Sequence, residues 1–552
     1  MANINSYLGN KGYTIYKKEL TDVQLNFIET ELTVKPFVQG SPGNSNAISF
    51  PVYRESSQKI YMPRYFGEKH FGPPKQNKIS EGENISLVFN GELRENQKPV
   101  VNAYLNHVHG NSSSGNSVGG CGLLELPCAY GKTILSLNII SQLAKKTLII
   151  IHKEFLMNQW IERIQQFLPA ARIGKIQGQV IDIENKDLVL CMLQSLSMKE
   201  YPESLFDSFG LTIIDEVHHI SSQTFSNALF KLVTKYMLGL SATMNRKDGT
   251  THVFKMFLGK VVYKGEREQE HNVTIRGIEY KVDDDEFNKV VYDFRGNPQY
   301  STMITKLCGY NRRSEFILKV LSDMLIENPE QHVMILAHNK SLLKYLYDAI
   351  EARKIATVGY YVGGMKEAAL KESENKKVII ATYSMAAEGL DIKTLTTLIM
   401  ATPKTDIEQS VGRILRERHS SPIVVDIIDD HDIFQNQWKK RKTFYKKQNY
   451  KIIQTTNIKY ESQSRLEPIS CESNIWREIN TSSCNTSTIS TFTANINTTK
   501  KSKPSNGNGP SVFQLLKTEK QTTSVDDEQN KDTLFQGKCF LKLPPKIQEK
   551  SI

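Results

Sequence analysis

The stretch GLLELPCAYGKT, residues 122–133, ends in Gly131-Lys132-Thr133 and joins an apolar strand to a helix-forming run. A loop of this kind can aim backbone N–H groups at phosphate oxygens, with Lys132 adding charge and the Thr133 hydroxyl reaching a magnesium ion. The commonest phosphate-loop pattern has a glycine five residues before Gly131, where this chain has Leu126. Pro127 can start the turn instead, and Gly131 keeps conformational freedom where backbone must approach closely. Cys128, Ala129 and Tyr130 complete a candidate nucleotide loop running from Pro127 to Thr133. By itself the tripeptide is equally compatible with an ordinary turn.

A second constellation changes that balance. In TIIDEVHH an apolar strand ends on Asp215 and Glu216. One carboxylate can hold magnesium while its neighbour activates water, which fits Asp215 to the metal and Glu216 to general-base work. A solvated carboxylate pair is the plainer alternative, but it loses weight when a phosphate loop precedes it.

The elements around these residues form two series. From about 90 to 265, helices alternate with short apolar strands (LLEL, TLIIIH, DLVLCML, LTIIDEV, YMLGLSAT), the pattern of a parallel sheet covered by helices. A second series begins near 305, with strands VMILAH, TVGYYVGG, KVIIATYS, TTLIMATP and PIVVDIID and a helix IEQSVGRILRE. Residues 1–88 read as a small mixed region containing strand-like AISFPVYRES and KIYMPRYFG. Within it, Tyr53, Tyr61, Tyr65 and Phe66 interleave with Arg54, Lys59 and Arg64. That mixture suits nucleic acid stacking, although an edge hairpin with aromatics inward and basic residues solvated is the simpler expectation.

The ordered set resembles superfamily 2 helicases. The Lys132 loop, Asp215-Glu216-Val217-His218 and Ser241-Ala242-Thr243 are similar to motifs I, II and III, ATYSMAAEGLD (381–391) to motif V, and QSVGRILR (409–416) to motif VI. LGLSATMNRKDG, with Arg246-Lys247-Asp248 after motif III, resembles the XPB-type branch, whose middle residue is glutamate in XPB itself. That branch also lacks the first loop glycine but usually has one where Ala129 stands. ISFPVYRES and IYMPRYFG further resemble helicases of large DNA viruses, including the poxvirus transcript-release helicase.

The resemblance implies ATP and Mg2+ as cofactors and assigns roles. Gln97 in LRENQ would read the adenine edge; Gln409 would place the attacking water; Arg413 and Arg416 would reach the γ-phosphate from the second sheet. Ser241, Ala242, Thr243, Gly389 and Asp391 would couple the nucleotide to the nucleic acid groove. Gln194, Ser195, Arg246 and Thr382 would contact nucleic acid, fixing position without reading sequence.

The implied fold class is α/β, with two tandem RecA-like parallel-sheet domains at 89–265 and 305–454, joined by a connection at 266–304. An N-terminal accessory domain (1–88) precedes them, and a Ser/Thr/Asn-rich tail from 455 to 552 is expected to be disordered. The net charge of +11 points to a polyanionic partner. DNA is favoured over RNA by the branch resemblance, and transcription machinery is a further candidate partner. Between 434 and 459 eight Lys/Arg and no Asp or Glu accompany Trp438, Phe444, Tyr445 and Tyr450, which reads as a helix with aromatics packed and lysines available to phosphates. No apolar run of membrane length and no export signal are visible, and seven scattered cysteines fit a reducing compartment. The expectation is therefore a cytoplasmic or nuclear protein, carried in the virion if viral, with no membrane partner. The rival readings are an RNA helicase and a non-catalytic nucleic-acid-binding subunit with a silent phosphate loop.

Overall fold

Along the strand Thr147–Ile151, Leu148 and Ile150 pack into one core while Ile149 and Ile151 pack into another. A strand buried on both faces belongs inside a helix-covered parallel sheet. The computed structural model describes residues 4–37, 48–110, 120–127, 130–246, 248–266, 272–388, 392–416, 419, 421–464, 469–470 and 472–479.

From edge to edge the first sheet runs Val180–Asp182, Ile173–Gln177, Leu188–Met192, Thr147–Ile151, Leu211–Ile214, Tyr236–Ser241, Gly120–Glu125 and Val261–Lys264. All are parallel except the edge strand Val180–Asp182. The second sheet runs Val358–Tyr361, Val378–Thr382, Val333–Ala337, Thr397–Met400, Ile423–Asp429, Thr274–Tyr280, Lys451–Thr456 and Arg477–Ile479. It too is parallel apart from one antiparallel edge, Arg477–Ile479. Helices cover both faces of each, giving two RecA-like α/β domains in tandem. Among the described residues no helix is long and apolar enough to cross a membrane.

Several boundaries differ from those expected. Thr274–Tyr280, inside the supposed connection 266–304, lies between two parallel strands of the second sheet. Arg276 in its middle disguises the strand, and the structure neutralises it by a buried pair with Glu327 at 2.6 Å. The folded chain also passes 455, because Lys451–Thr456, the helix Asn457–Ser464 and Arg477–Ile479 all join the second domain. The expected disorder beyond 479 falls outside the described residues.

The basic segment forms a helix over Asp432–Lys447 and then turns at Asn449, whose φ of 54° is left-handed. Trp438 and Tyr445 are buried as expected, and Arg441 is buried with them, paired with Asp426 at 2.7 Å. Among the lysines of the helix, Lys439, Lys440 and Lys447 are exposed, while Lys442 and Lys446 are half-buried.

At the N-terminus, one five-stranded sheet orders as Arg54–Glu55, Lys59–Met62, Gly12–Tyr16, Ser6–Gly9 and Gln76–Asn77. KIYMPRYFG is only half strand. Pro63, with φ fixed at −55°, ends the extended run, and a helix occupies Arg64–Phe71. Arg64 is correspondingly buried, not solvated: Nε meets Glu68 at 2.8 Å and Nη1 approaches Cys121 Sγ at 3.7 Å. Tyr65 Oη donates to the Cys121 carbonyl at 3.2 Å, which fixes this region onto the Gly120–Glu125 strand that leads into the phosphate loop.

Candidate active site

Strand Gly120–Glu125 carries the chain to Leu126, whose N–H still pairs with the Ser241 carbonyl at 2.9 Å. Leu126 is thus the buried continuation of a strand, which is why no glycine is needed there. Gly131 has φ 89° and ψ 37°, and a Cβ on it would stand 2.5 Å from Gln97 Nε2. The left-handed backbone calls for glycine, and a side chain there would also displace the Gln97 amide. Helix Lys132–Leu143 follows at once, with Thr133 in its first turn. Gln97 and Arg94 hold the loop from outside: Gln97 Nε2 and Arg94 Nη2 both donate to the Tyr130 carbonyl, at 2.8 and 2.7 Å. Pro127 bounds the loop, with its carbonyl accepting from the Tyr130 N–H at 3.3 Å. Cys128 and Ala129 lie outside the described residues.

Asp215 and Glu216 sit at the end of Leu211–Ile214, and Glu216 adopts φ 49°, a bend that turns its side chain back toward the loop. Lys132 Nζ lies 3.3 Å from Glu216 Oε1, joining the two constellations directly. Burial would raise the Glu216 carboxyl, but Lys132 and His218 outweigh it and hold it below the usual range. Asp215 goes the other way, raised by burial and by the Glu216 charge beside it. The indole N–H of Trp160 donates to Asp215 Oδ2 at 3.0 Å. Sequence reasoning missed this partner. The available signal was that a buried tryptophan must find an acceptor for its N–H.

Ser241 closes the constellation. Its hydroxyl donates to the Thr243 carbonyl at 2.7 Å, so at 2.9 Å from His218 Nδ1 it accepts, and that nitrogen carries the proton. Burial lowers the His218 pKa despite the Glu216 charge, which favours the neutral ring. His218 Nδ1 also lies 3.5 Å from Glu216 Oε2, a buried oxygen that makes no hydrogen bond. An orphaned carboxylate oxygen beside a lysine and a second carboxylate suits a magnesium-bound nucleotide and its attacking water.

Arg246, expected to contact nucleic acid, has close partners of its own. Its guanidinium pairs with Asp248 and donates to the His218 carbonyl at 2.5 Å, so it braces the turn after Glu216. Burial opposes ionisation of Asp248, but Arg246 and Thr250 bring it down to about 2. Lys247 lies outside the described residues, as do Gly389 and Asp391.

A family model described as "Type III restriction enzyme, res subunit" matches residues 90–246, which contain Gln97, the phosphate loop, the carboxylate pair and Ser241. "Putative ATP-dependent RNA helicase L396" of Acanthamoeba polyphaga mimivirus is 34% identical over 461 residues, covering 82% of this chain and 87% of the relative. The chain is a superfamily 2 helicase. "Putative helicase 161L" of Invertebrate iridescent virus 6 is 28% identical over 460 residues, covering 79% of the helicase and 98% of the relative. "Putative ATP-dependent RNA helicase QP509L" of African swine fever virus is 28% identical over 358 residues, covering 60% and 69%.

The remaining expected residues of the helicase divide by environment. Gln194 Nε2 donates to the His152 carbonyl at 2.7 Å, and Ser195 Oγ accepts from the Gly178 N–H at 2.9 Å, both at the start of helix Leu193–Met198. Thr382 ends its strand buried, 3.3 Å from Ser384 Oγ. The expected single helix over motif VI is a short α-turn, Glu408–Val411, followed by a 3-10 turn, Gly412–Leu415. Gln409 is half-exposed on the first, Arg413 is buried on the second, and Arg416 follows.

Proposed function

We propose that the helicase is an ATP-driven motor that moves on DNA and separates strands or displaces a bound transcript, in viral-type transcription, replication or repair. The observation that carries this reading is the continuous contact from Lys132 through Glu216 and His218 to Ser241, which ties the phosphate site to the strand leading toward Arg246. Thr133 and Asp215 would hold a magnesium ion, which neutralises phosphate charge when bound. Lys132 binds phosphate, Glu216 orients and deprotonates water, and Gln97 positions the base through the loop it already grips. Gln409, Arg413 and Arg416 supply water placement and positive charge from the second sheet, so that hydrolysis follows domain closure. Gln194, Ser195 and Thr382 serve the nucleic acid phosphates. The preference for DNA rests on the similarity of Arg246-Lys247-Asp248 and the phosphate loop to the XPB-type branch, with the poxvirus transcript-release helicase as the viral parallel.

A second reading, an RNA helicase, is favoured by the printed names of the mimivirus and African swine fever virus relatives. ATPase rates with matched single-stranded DNA, duplex DNA, RNA and hybrid decide between them. Stimulation by DNA above RNA is expected. Stimulation by RNA alone selects the second reading, and stimulation by none refutes both.

A further inference from the structure

Beside the two carboxylates lies a run of three close-packed imidazoles, of which only His218 has a place in the site described above. His152, buried, follows the strand Thr147–Ile151, and His219 follows His218 in the turn after Glu216. The His152 and His219 ring centroids are 4.0 Å apart at an interplanar angle of 32°, and those of His219 and His218 are 4.5 Å apart at 35°. At one end His218 Nδ1 meets Ser241 Oγ at 2.9 Å and stands 3.5 Å from Glu216 Oε2. At the other end, the His152 carbonyl accepts the 2.7 Å hydrogen bond from Gln194. Contacts therefore run without a break from the Gln194 amide to the Glu216 carboxylate. Close-packed rings in a protein interior move together, since a gap between them forfeits dispersion contact.

We propose that His152 is a positioning residue that relays engagement of Gln194 by nucleic acid phosphates, through the His219 and His218 rings, to the Glu216 carboxylate. The inference rests on the reading of the chain as a nucleic-acid-stimulated ATPase. A displacement of Gln194 pulls on the His152 carbonyl, the strand end carries its ring along, and the stacked rings carry the motion to the base. Alanine at 152 removes the ring and breaks the stack; phenylalanine keeps a flat ring and loses only the nitrogens.

The test is ATPase of the full chain with and without a saturating amount of the nucleic acid that best activates the wild type. The proteins compared are wild type, His152→Ala, His152→Phe, Gln194→Ala and the double alanine variant. His152→Ala is expected to lower the stimulation ratio about tenfold, within the range by which coupling residues act. KM for ATP and Kd for nucleic acid should move less than about threefold, which separates a relay from a binding defect. His152→Phe should restore most of the stimulation, and the double variant should be no worse than His152→Ala, because both residues act along one path. Full stimulation in His152→Ala, or equal losses in the alanine and phenylalanine variants, overturns the proposal. If His152→Ala fails to fold, His219→Ala against His219→Phe gives the same contrast. A wild type that no nucleic acid stimulates refutes the function proposed above, and this relay with it.

Discussion

At Asp215 the indole of Trp160 supplies the hydrogen bond that orients one carboxylate oxygen, leaving the other bonded to the Glu216 N–H at 3.0 Å. Partners of this kind around metal-binding carboxylates commonly account for 10- to 100-fold in affinity or activity. Trp160→Phe should therefore raise the Mg2+ concentration for half-maximal ATPase about tenfold while leaving the helix packed; a magnesium titration at fixed ATP checks it. Asp248 gives a prediction about pH. Its folded pKa is depressed to about 2 by Arg246 and Thr250, so its contribution to stability is complete above the ordinary carboxylate range and disappears as pH falls toward 2. The melting-temperature gap between wild type and Asp248→Asn should accordingly be constant above about pH 5 and shrink below about pH 4. That Lys132, Asp215, Glu216 and Ser241 come together was legible because Asp215, Glu216 and Ser241 stand at the ends of apolar strands and Lys132 opens the helix that follows another. Trp160 was not, since a tryptophan on an amphipathic helix reads as core. Nor were the partners of Arg246 legible, since Asp248 and the His218 carbonyl are brought to it by the turn.

Among the elements, the apolar strands were readable, PIVVDIID with its two buried aspartates included, whereas Thr274–Tyr280, with Arg276 inside it and set apart from the rest of the series, was not. Arg276 lies in mid-strand in Thr274–Tyr280, where Glu327 neutralises it and the Trp476 ring covers it at 5.8 Å. In Ile423–Asp429, Asp426 and Asp429 are both fully buried and each is matched by an arginine from a helix, Arg441 and Arg313. These pairs dock the helices Asp432–Lys447 and Asn311–Glu327 onto one strand of the second sheet. Removing one partner leaves an uncompensated buried charge, so Arg441→Ala should cost about 3–5 kcal/mol. Urea denaturation followed by far-UV circular dichroism measures this, and pairing the change with Asp426→Asn should recover part of the loss.

Over the whole described chain, the two tandem sheets and their order were legible from the alternation of strands and helices. The limits of the second domain were not, because its strands at 274–280 and 477–479 are separated in sequence from the rest and pair only through the folded sheet. The N-terminal helix Arg64–Phe71 contacts the strand before the phosphate loop through Arg64 and Tyr65 at Cys121, a link that no local pattern announces. The phosphate loop, the carboxylate pair and the second-sheet arginines are together proposed as one nucleic-acid-stimulated ATPase. Its most direct measurement is the steady-state ATPase of wild type and Lys132→Ala, each with and without saturating single-stranded DNA. Stimulation of at least about tenfold in the wild type and loss of about a hundredfold or more in the variant, as expected when a charge that stabilises phosphoryl transfer is removed, is the predicted result. Stimulated turnover that survives Lys132→Ala would contradict the account.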